Sequence, residues 1–515
     1  MVKILKNTAF GFIFELENDR CFFTEKPYDI YLNGEHYLTT DRNVVSLLSL
    51  KSGTDYNVLI KGYNNGYGKD DICFNVTTKE PYMLINVKDF NAKGDGVTCD
   101  TSAINLAIYS AQVNTTIYVP PGEYLVDQIL LKSEVDIYLA RGAVIRQSIN
   151  RDKLAILKGY QQNYNHTNAR IISSWEGHPL DTYCSLFYGM DVYSVHIYGE
   201  GVIDGNGDIG GFWNNPKVKN KAYRPKNMFL VDSDYIEVSG ITSRNSASWN
   251  IHPYHCGNVA FRCLKIESIE ESPNTDGINP ENCKNVEIIG CHFSVGDDCI
   301  AIKSGKYFMS TLRNPQPTRN VTIRNCYMEK GHGGVVIGSE MSCGVRNVDI
   351  TQCLFRDTDR GLRIKTRRGR GKHAIVKNIT FDNVQMDGVK HCFVVNMFYN
   401  CDPDGKSDYV KNKNVVEKDE LTPSVKNITV TNTVATNIPG SAVFIYGLPE
   451  SKVKNVKITN NHFHFAEERI HECPAMMCDF EAIENLGFYI NNAKNITMEN
   501  NKIEGKAVDV ITECD

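Results

Sequence analysis

Apolar and polar positions repeat as a short unit through the second half of the chain. The unit reads Asn-Val/Ile-x-φ-x-x-Cys/Asn/Val-x-φ, where φ is an apolar residue. Each copy would form two short strands separated by a bend, and it could not bury its apolar side alone. Stacked copies would share one continuous core, which is how a solenoid is built. Eight copies begin at Asn258, Asn285, Asn320, Asn347, Asn378, Asn427, Asn455 and Asn495.

The repeat predicts the fold of most of the chain. Strand-like runs, the lack of helical periodicity and a period of about 30 residues indicate an all-β protein built as a right-handed parallel β-helix. A leucine-rich repeat protein fits the sequence less well, because its units need a different consensus and a helix, and neither is seen here. The spacing between copies varies, so we expect insertions in loops on one side of the coil. Two insertions, Lys158–Cys184 and Cys401–Pro423, are predicted to flank the coil.

The first 80 residues follow a different pattern. Short alternating runs such as FGFIFEL and DYNVLIKGY are separated by turn residues, and Asn33-Gly34 is a strong hairpin signal. This predicts a small β-sandwich, and the run SLKSGTDYNVLIKG is similar to the later strands of a fibronectin type III module. The pattern changes near Glu80-Pro81. We therefore expect two domains, a β-sandwich over residues 1–81 and a parallel β-helix over residues 82–515.

Charge and composition narrow the possible partners. The net charge of −5 argues against nucleic acid or an anionic membrane as a general partner. No run approaches the roughly 20 apolar residues of a membrane span. The 17 cysteines are odd in number and scattered, and the start of the chain lacks the apolar run and cleavage site of a signal peptide. We therefore expect reduced thiols and a cytoplasmic protein.

Cysteine recurs at nearly the same place in four consecutive repeats. Metal ligands are one interpretation of this pattern. A stack of small buried side chains in the coil interior is the favoured one, because free cysteine packs as a small apolar residue. No metal site is predicted. The four residues are Cys263, Cys291, Cys326 and Cys353.

Polar clusters interrupt the repeat, and each follows the strand pair of a successive unit. A lone Asp-Asp or Arg-x-Lys is more often a solvated turn than a site. In stacked coils, however, similar offsets on adjacent units become neighbours on one face, at about 4.8 Å per coil. Four clusters in register therefore predict a functional patch. Its residues are Asp276, Asp297, Asp298, His332, Arg363 and Lys365.

These residue types suit acid–base hydrolysis of an acidic substrate. Three crowded carboxylates cannot all ionise easily, so one can stay protonated as an acid. Arg363 and Lys365 lie at positions i and i+2, so they project from the same face of a strand. There they could hold a carboxylated sugar, with the arginine offering bidentate geometry.

The motifs carry a family resemblance. NTDG (Asn274–Gly277), GDD (Gly296–Asp298), GHG (Gly331–Gly333) and RIK (Arg363–Lys365) match in order the four signature motifs of glycoside hydrolase family 28, the polygalacturonases. The segment NVKDFNAKGDGVTCDTSAINLAI is also similar to the family, although it has Asn91 where glycine is usual and Cys99 where aspartate is usual. The resemblance covers roughly residues 82 to 510.

The resemblance implies an inverting hydrolase of α-1,4-galacturonosidic bonds. Asp297 would be the general acid, Asp276 and Asp298 would activate the water, and His332 would support the acid. An inverting pair is expected to place its carboxyl groups about 6.5–9.5 Å apart. No metal or organic cofactor is implied, and the partners are galacturonan chains. The resemblance assigns substrate binding to Arg363, Lys365, Tyr399, Asn274 and Lys303.

Exo-attack from chain ends is the expected mode. Three features favour it: the apparent lack of an export signal, an N-terminal domain similar to the module of bacterial exo-polygalacturonases, and the two insertions. Endo-attack stays an alternative, and so does a rhamnogalacturonan hydrolase, whose motifs differ at three positions. A calcium-dependent pectate lyase and a non-catalytic carbohydrate-binding β-helix are less consistent with the aligned aspartates.

Overall fold

Strands dominate the protein, and this confirms the predicted all-β class. The computed structural model describes residues 2–64, 71–162, 169–307 and 316–514. Within these ranges no helix has the length and apolar character needed to cross a membrane.

Two antiparallel sheets form the N-terminal part. The turn at Asn33 and Gly34 has positive φ at both residues, 51° and 86°, as a two-residue hairpin turn requires. One sheet has the strand order Val2–Thr8, Gly11–Leu16, Val44–Leu47, and the other has the order Glu35–Arg42, Phe23–Leu32, Asp55–Lys61, Ile72–Thr77.

Strand Gly11–Leu16 is buried on both faces, which explains why it lacks the alternation of an ordinary sandwich strand. Phe12 and Phe14 pack in the core between the two sheets. Ile13 packs on the other side, against residues of the coil. Glu15 also faces the coil and accepts from Arg324 Nε at 2.7 Å. The sandwich is therefore joined to the coil by apolar packing and by a partly buried ion pair.

From Met83 onward the chain winds as a coil of three parallel sheets, which confirms the predicted parallel β-helix. We call them the ladder sheet, the second sheet and the site sheet. The ladder sheet contains Met83–Asn86, Thr115–Val119, Val135–Leu139, Tyr193–Gly199, Asp234–Ser239, Gly257–Arg262, Lys284–Ile289, Thr318–Arg324, Val345–Thr351, Ile375–Asp382, Ser424–Thr431, Val453–Thr459 and the second half of Leu486–Glu499.

The second sheet has short strands that follow those of the ladder sheet along the chain. Its members are Asp95–Cys99, Gly122–Val126, Ala143–Gln147, Val202–Asp204, Thr242–Arg244, Lys265–Glu267, His292–Ser294, Tyr327–Glu329, Leu354–Arg356, Gln385–Asp387, Val434–Ile438, His462–Phe465 and Lys502–Glu504.

The site sheet carries the predicted functional residues. Single-residue bridges from Ile278 to Ile251 and to Ile300 continue it across one coil that has no full strand there. Its strands are Ile129–Leu130, Phe187–Met190, Met228–Val231, Ile251–Tyr254, Asp298–Ile302, Gly333–Ile337, Arg360–Lys365, His391–Asn396, Ser441–Tyr446, the first half of Leu486–Glu499, and Val508–Cys514.

The repeated asparagine has a structural reason. Each copy adopts a left-handed backbone conformation, with φ between 50° and 58°, which asparagine tolerates better than most residues. From Asn285 onward each side chain also donates to the asparagine of the preceding coil, as Asn285 does to Asn258 at 2.9 Å and Asn320 does to Asn285 at 3.0 Å. Asn258, the first copy, donates to Asp234 Oδ1 at 2.8 Å. The repeated asparagine in the sequence therefore marks an amide ladder along the coil.

A helix, Thr101–Ser110, departs from the strand pattern that the sequence predicts. Its buried residues Ile104, Ala107 and Ile108 are spaced like one helical face, and they join the core of the coil. The helix therefore covers the N-terminal end of that core. Shorter helical turns are Val87–Phe90, Pro403–Lys406 and Asp408–Lys411.

Short antiparallel pairs lie within and next to the first insertion, Lys158–Cys184. Residues 163–168 of this insertion lie outside the described part of the chain. The paired strands are Ile156–Leu157 with Thr182–Tyr183, and Tyr160–Gln162 with Ala169–Ile171.

The cysteine column packs inside the coil. Cys291, Cys326 and Cys353 are fully buried, and Cys263 is partly buried. The thiols of the three fully buried cysteines contact backbone carbonyls of a neighbouring coil. For example, Cys291 Sγ lies 3.5 Å from the carbonyl oxygen of Phe261. The cysteines therefore pack as small buried side chains in the coil interior, as the favoured interpretation of the repeat predicts.

Candidate active site

Asp276 and Asp298 lie in register on neighbouring coils. The parallel pairing of Ile278 with Ile300 sets this register. Asp297 precedes Asp298 in the chain, so all three carboxylates meet at the start of one strand. One carboxylate oxygen of each lies within 4.8 Å of those of the other two. Three acidic groups therefore share one small volume.

The closeness of the three carboxylates follows from the architecture, because in-register residues of adjacent parallel strands lie about 4.8 Å apart. Their nearest oxygens lie within 4.8 Å of one another. The spacing of about 6.5–9.5 Å expected for an inverting pair is measured between whole carboxyl groups, so it stays a prediction here.

Two cations from the next coils hold Asp298. Lys365 Nζ donates to Asp298 Oδ2 at 2.8 Å, and Arg363 Nη1 lies 3.6 Å from Asp298 Oδ1. Both cations come from strand Arg360–Lys365, whose intervening residue, Ile364, belongs to the core. The alternation of a β-strand therefore places both charges on the outer face.

Asp276 is held by an amide and a lysine. Asn279 Nδ2 donates to Asp276 Oδ2 at 2.7 Å, and Lys303 Nζ lies 3.7 Å from the same oxygen. Lys303 Nζ also donates to Glu340 Oε2 at 2.9 Å and lies 4.4 Å from the centre of the Trp249 ring. Lys303 is therefore a buried cation shared between two carboxylates.

Asp297 is the most accessible of the three aspartates. Its side chain is 22% exposed, against 4% for Asp276 and 2% for Asp298. Asp297 Oδ1 accepts from the backbone N–H of Asp298 at 2.9 Å and lies 3.5 Å from His332 Nδ1. Its Oδ2 accepts from Asn274 Nδ2 at 3.5 Å. A sugar bound in the cleft would therefore meet Asp297 first.

Tyr399 completes the group one coil later. It is buried, and its ring centre lies 6.0 Å from the Arg363 guanidinium carbon and 5.4 Å from Lys365 Nζ. With this contact, the structure brings together all nine residues predicted for the site. Their individual roles stay predictions.

The aspartates of the cluster differ in their pKa values. Burial, together with the negative charge of Asp297, raises the pKa of Asp276 to about 8. Burial also acts to raise the pKa of Asp297, but the hydrogen bond and charge of His332 and the charges of Lys365 and Lys303 outweigh it and hold that pKa below its usual range. Hydrogen bonding to Asp297 raises the pKa of His332. The directions of these pKa shifts favour a proton on Asp276 and an ionised Asp297 in the free site.

Several residues at the site carry no repeat signal in the sequence. Asn279 and Glu340 lie in the motif-bearing segments, where their contacts with Asp276 and Lys303 depend on the turn geometry. Arg224 and Trp249 come from earlier coils. Arg224 Nη2 donates to Asn274 Oδ1 at 2.7 Å, which links that residue to the aspartate cluster. Single residues outside a repeat could not be found from spacing alone.

Comparison with known proteins places the chain. The family model described as "Glycosyl hydrolases family 28" matches residues 110–478, which is more than half of the chain. The chain belongs to glycosyl hydrolases family 28. This confirms the resemblance seen in the four motifs, and it makes the protein a glycoside hydrolase.

Relatives of this family 28 chain include plant and bacterial proteins. A "Probable polygalacturonase" of Vitis vinifera is 30% identical over 405 residues, which cover 77% of each chain. An "Exo-poly-alpha-D-galacturonosidase" of Dickeya chrysanthemi is 28% identical over 432 residues, covering 75% of this chain and 69% of the relative.

A solved structure supports the whole fold. The family 28 exopolygalacturonase of Yersinia enterocolitica is 20% identical and superposes with a TM-score of 0.70. The similarity covers 100% of this chain and 98% of that one. The likeness therefore includes the N-terminal strands as well as the β-helix of this family 28 chain.

The raised pKa of Asp276 predicts how stability depends on pH. Unfolded aspartate has a pKa of about 3.9, whereas folded Asp276 holds its proton up to about pH 8. The folded state therefore binds the extra proton in this window, and stability contributed by Asp276 is lost as pH rises through it. Asp276→Asn should flatten the fall in melting temperature between pH 5 and pH 8.

The control for this test is Asp349→Asn, a change at an exposed carboxylate on the ladder sheet. It should keep the pH dependence of the wild type. Equal slopes for Asp276→Asn and the wild type in scanning calorimetry would show that Asp276 does not carry the proton.

Proposed function

We propose that this protein hydrolyses α-1,4-galacturonosidic bonds of polygalacturonate and oligogalacturonides, with inversion, from chain ends. One observation carries the proposal: three aspartate oxygens within 4.8 Å of one another lie beside Arg363 and Lys365. This arrangement offers acid–base groups next to cations for a uronate. The names of the relatives, a probable polygalacturonase and an exo-poly-α-D-galacturonosidase, support the same substrate.

The burial of the three aspartates divides their work. Asp276 and Asp298 are almost inaccessible, so neither can approach an anomeric carbon directly, and each is tied by a hydrogen bond to Asn279 or Lys365. They can hold and activate a water at the mouth of the cluster. Asp297 is accessible enough to protonate the leaving oxygen. This division favours a water nucleophile over a covalent sugar–enzyme intermediate.

Substrate binding can move the proton to Asp297. The charge of Lys365 is one of the causes that keep the pKa of Asp297 low in the free site. A galacturonate carboxylate bound to Lys365 and Arg363 would neutralise that charge and favour the protonated acid. Because Asp276 and Asp297 repel each other, one proton serves both. Its transfer from Asp276 would create the base and the acid together.

Arg363 has a donor to spare for the substrate. Its Nη2 is buried and has no hydrogen-bond partner among the described residues. A buried guanidinium N–H without an acceptor is costly, and a sugar carboxylate would satisfy it. Tyr399, under both cations, would limit how far they can swing from the site.

A calcium-dependent elimination fits the same residues less well. The three carboxylates could in principle ligate a cation. Lys365 Nζ lies 2.8 Å from Asp298 and Lys303 Nζ lies 3.7 Å from Asp276. These ammonium groups already balance the acidic charge, and they would repel a divalent ion.

Both insertions support exo-attack, because they meet at one edge of the site. Gly177, in the first insertion, has φ of +76° and packs so closely that a Cβ there would lie 2.8 Å from Glu340 Cγ and 3.2 Å from Lys306 Cγ. Asp402, in the second insertion, accepts from Lys306 Nζ at 3.1 Å. Lys306 therefore contacts both insertions, one of which precedes the aspartates in the chain and the other of which follows them.

Three arginines fasten the second insertion. Arg367 and Arg370 each donate to Asp402 Oδ2, at 3.2 Å and 3.0 Å. The fully buried Arg368 donates to the carbonyls of Tyr409 and Asn412 at 3.1 Å and 2.6 Å. An insertion held in this way can block one end of an open groove, which favours attack on the chain end.

A cytoplasmic location is part of the proposal. All 17 cysteines are free, and most are buried. Free thiols persist in reducing compartments, whereas secreted proteins tend to form disulfides. In that location the substrates would be short imported oligogalacturonides, which suit an enzyme that works from ends.

Replacing the proposed acid tests the assignment of Asp297. Asp297→Asn should lower kcat on polygalacturonate by at least about 10²–10⁴-fold, the usual contribution of general acid catalysis. Melting temperature and calorimetric binding of oligogalacturonide should stay close to those of the wild type. Asp349→Asn, a matched change at an exposed site, should keep full activity. A variant with more than about a tenth of wild-type turnover would contradict the role.

The mode of attack can be read from the products. We expect mono- or digalacturonate from the earliest time points, with slow loss of viscosity relative to the reducing ends released. Oligogalacturonides labelled at the reducing end should shorten by one or two residues at a time in chromatography. A rapid collapse of viscosity, with a ladder of long oligomers, would indicate an open cleft and endo-attack.

A further inference from the structure

Arg224 is a buried cation next to the aspartate cluster that the mechanism above does not use. Its side chain lies just before strand Met228–Val231 and is 6% exposed. No carboxylate of the described residues forms an ion pair with it, yet its charge interacts at longer range with Glu176, Asp276 and Asp297. A buried cation without an ion-pair partner is expensive. Its place in the fold therefore calls for a functional reason.

The guanidinium of Arg224 is fixed in position. Nη1 donates to the carbonyls of Ala247 and Pro273 at 2.7 Å and 2.8 Å, and Nη2 donates to Asn274 Oδ1 at 2.7 Å. Its carbon lies 5.0 Å from the centre of the Trp175 ring, in the first insertion. The Arg224 guanidinium therefore contacts the first insertion, the neighbouring coil and the motif residue Asn274 at the same time.

This contact decides which way the amide of Asn274 points. A guanidinium donates hydrogen bonds and accepts none, so it can only face the amide oxygen. The amide nitrogen of Asn274 is then turned toward Asp297, with Nδ2 3.5 Å from Asp297 Oδ2. Without Arg224 the amide could rotate and present its oxygen to Asp297 instead.

The orientation matters for a proton on Asp297. Its Oδ1 already accepts from the backbone N–H of Asp298 at 2.9 Å, which leaves Oδ2 as the oxygen that carries the proton. When the amide nitrogen of Asn274 faces Asp297, a protonated Oδ2 finds no acceptor there, and its O–H stays free for the leaving oxygen. If the amide were rotated so that its oxygen faced Asp297, the O–H would donate to Asn274 and would not be available to the substrate.

We infer that Arg224 is a positioning residue for the acid: by fixing the amide of Asn274, it keeps the proton of Asp297 directed at the leaving oxygen. This inference rests on the proposed hydrolysis. No bond forms or breaks at Arg224 or Asn274. The rival is a purely structural role, in which Arg224 only joins Ala247, Pro273 and the first insertion.

The dependence of the rate on the leaving group separates the two roles. Natural oligogalacturonides need the acid because an alkoxide leaves, whereas 4-nitrophenyl α-galacturonide has a leaving group that needs little protonation. Arg224→Met should lower kcat on trigalacturonate by about 10–100-fold, the cost of misplacing a catalytic group. On the nitrophenyl substrate the loss should stay within about threefold. Asp297→Asn should show the same contrast and serves as the benchmark.

Two further variants complete the test. Arg224→Lys keeps a donor for Asn274 Oδ1 and should recover part of the rate on trigalacturonate. If Arg224→Met does not fold, Asn274→Ala takes its place, because it breaks the same link from the other side. The double variant Arg224→Met/Asn274→Ala should lose little more than Asn274→Ala alone, because both changes break the same link. Melting temperatures of all variants show whether the fold is kept.

Each outcome has one interpretation. Equal losses on both substrates, or additive losses in the double variant, would overturn the positioning role and leave the proposed hydrolysis intact. If the wild type cleaves neither substrate, the proposed function fails first, and the contrast between Asp297→Asn and the wild type disappears with it. A leaving-group contrast shared by Arg224→Met and Asp297→Asn supports the inference.

Discussion

Parallel pairing of each coil with the next holds residues from distant parts of the chain about one strand spacing, about 4.8 Å, apart. The site depends on this constraint. Asp276 faces Asp298 because Ile278 pairs with Ile300. Arg363 reaches the carboxylate of Asp298 from a strand two coils further along. Strand Gly333–Ile337 lies between the two and pairs with both, and its Val336 is the direct neighbour of Arg363. The asparagine ladder and the apolar columns of the interior keep these registers, so the fold itself sets the distances of the chemistry.

Crowding the acidic groups has an electrostatic consequence. Three carboxylates in one small volume would repel one another. The cations Lys303, Lys365 and Arg363 lie close to them and offset this repulsion. The cations lie unevenly, so the aspartates differ: Asp276 keeps a proton to about pH 8, and the pKa of Asp297 lies below its usual range. A substrate that carries its own carboxylate would change this balance when it binds. In this account, the recognition of the uronate and the placement of the proton are one event.

The sequence predicts the fold well because its signal is periodic. The asparagine at each repeat marks a left-handed backbone position and an amide ladder, and the residues one and three positions later face the core in the repeats from Asn258 to Asn455. The motif residues could be placed on one face by the same periodicity. The helix Thr101–Ser110 escapes this reasoning, since it occurs once and covers an end of the coil.

The parts of the site that could not be predicted depend on contacts between coils rather than on spacing. Arg224, Trp249 and Lys306 each act through a side chain that reaches residues far along the chain, and nothing in their own segments reveals the partner. The short carboxylate spacing and the proton on Asp276 follow from three-dimensional distances and burial. These quantities exist only after the coils are stacked.

The anomeric configuration of the first product tests the central claim most directly, namely that two buried aspartates direct a water while the accessible one acts as the acid. Proton NMR can follow an oligogalacturonide during the first minutes of reaction, before mutarotation mixes the anomers. We expect the new reducing end to appear first as the β-anomer, because a water attacks the α-linked sugar from the opposite face. A product that appears first as the α-anomer would indicate retention, with a carboxylate as nucleophile, and would contradict the account.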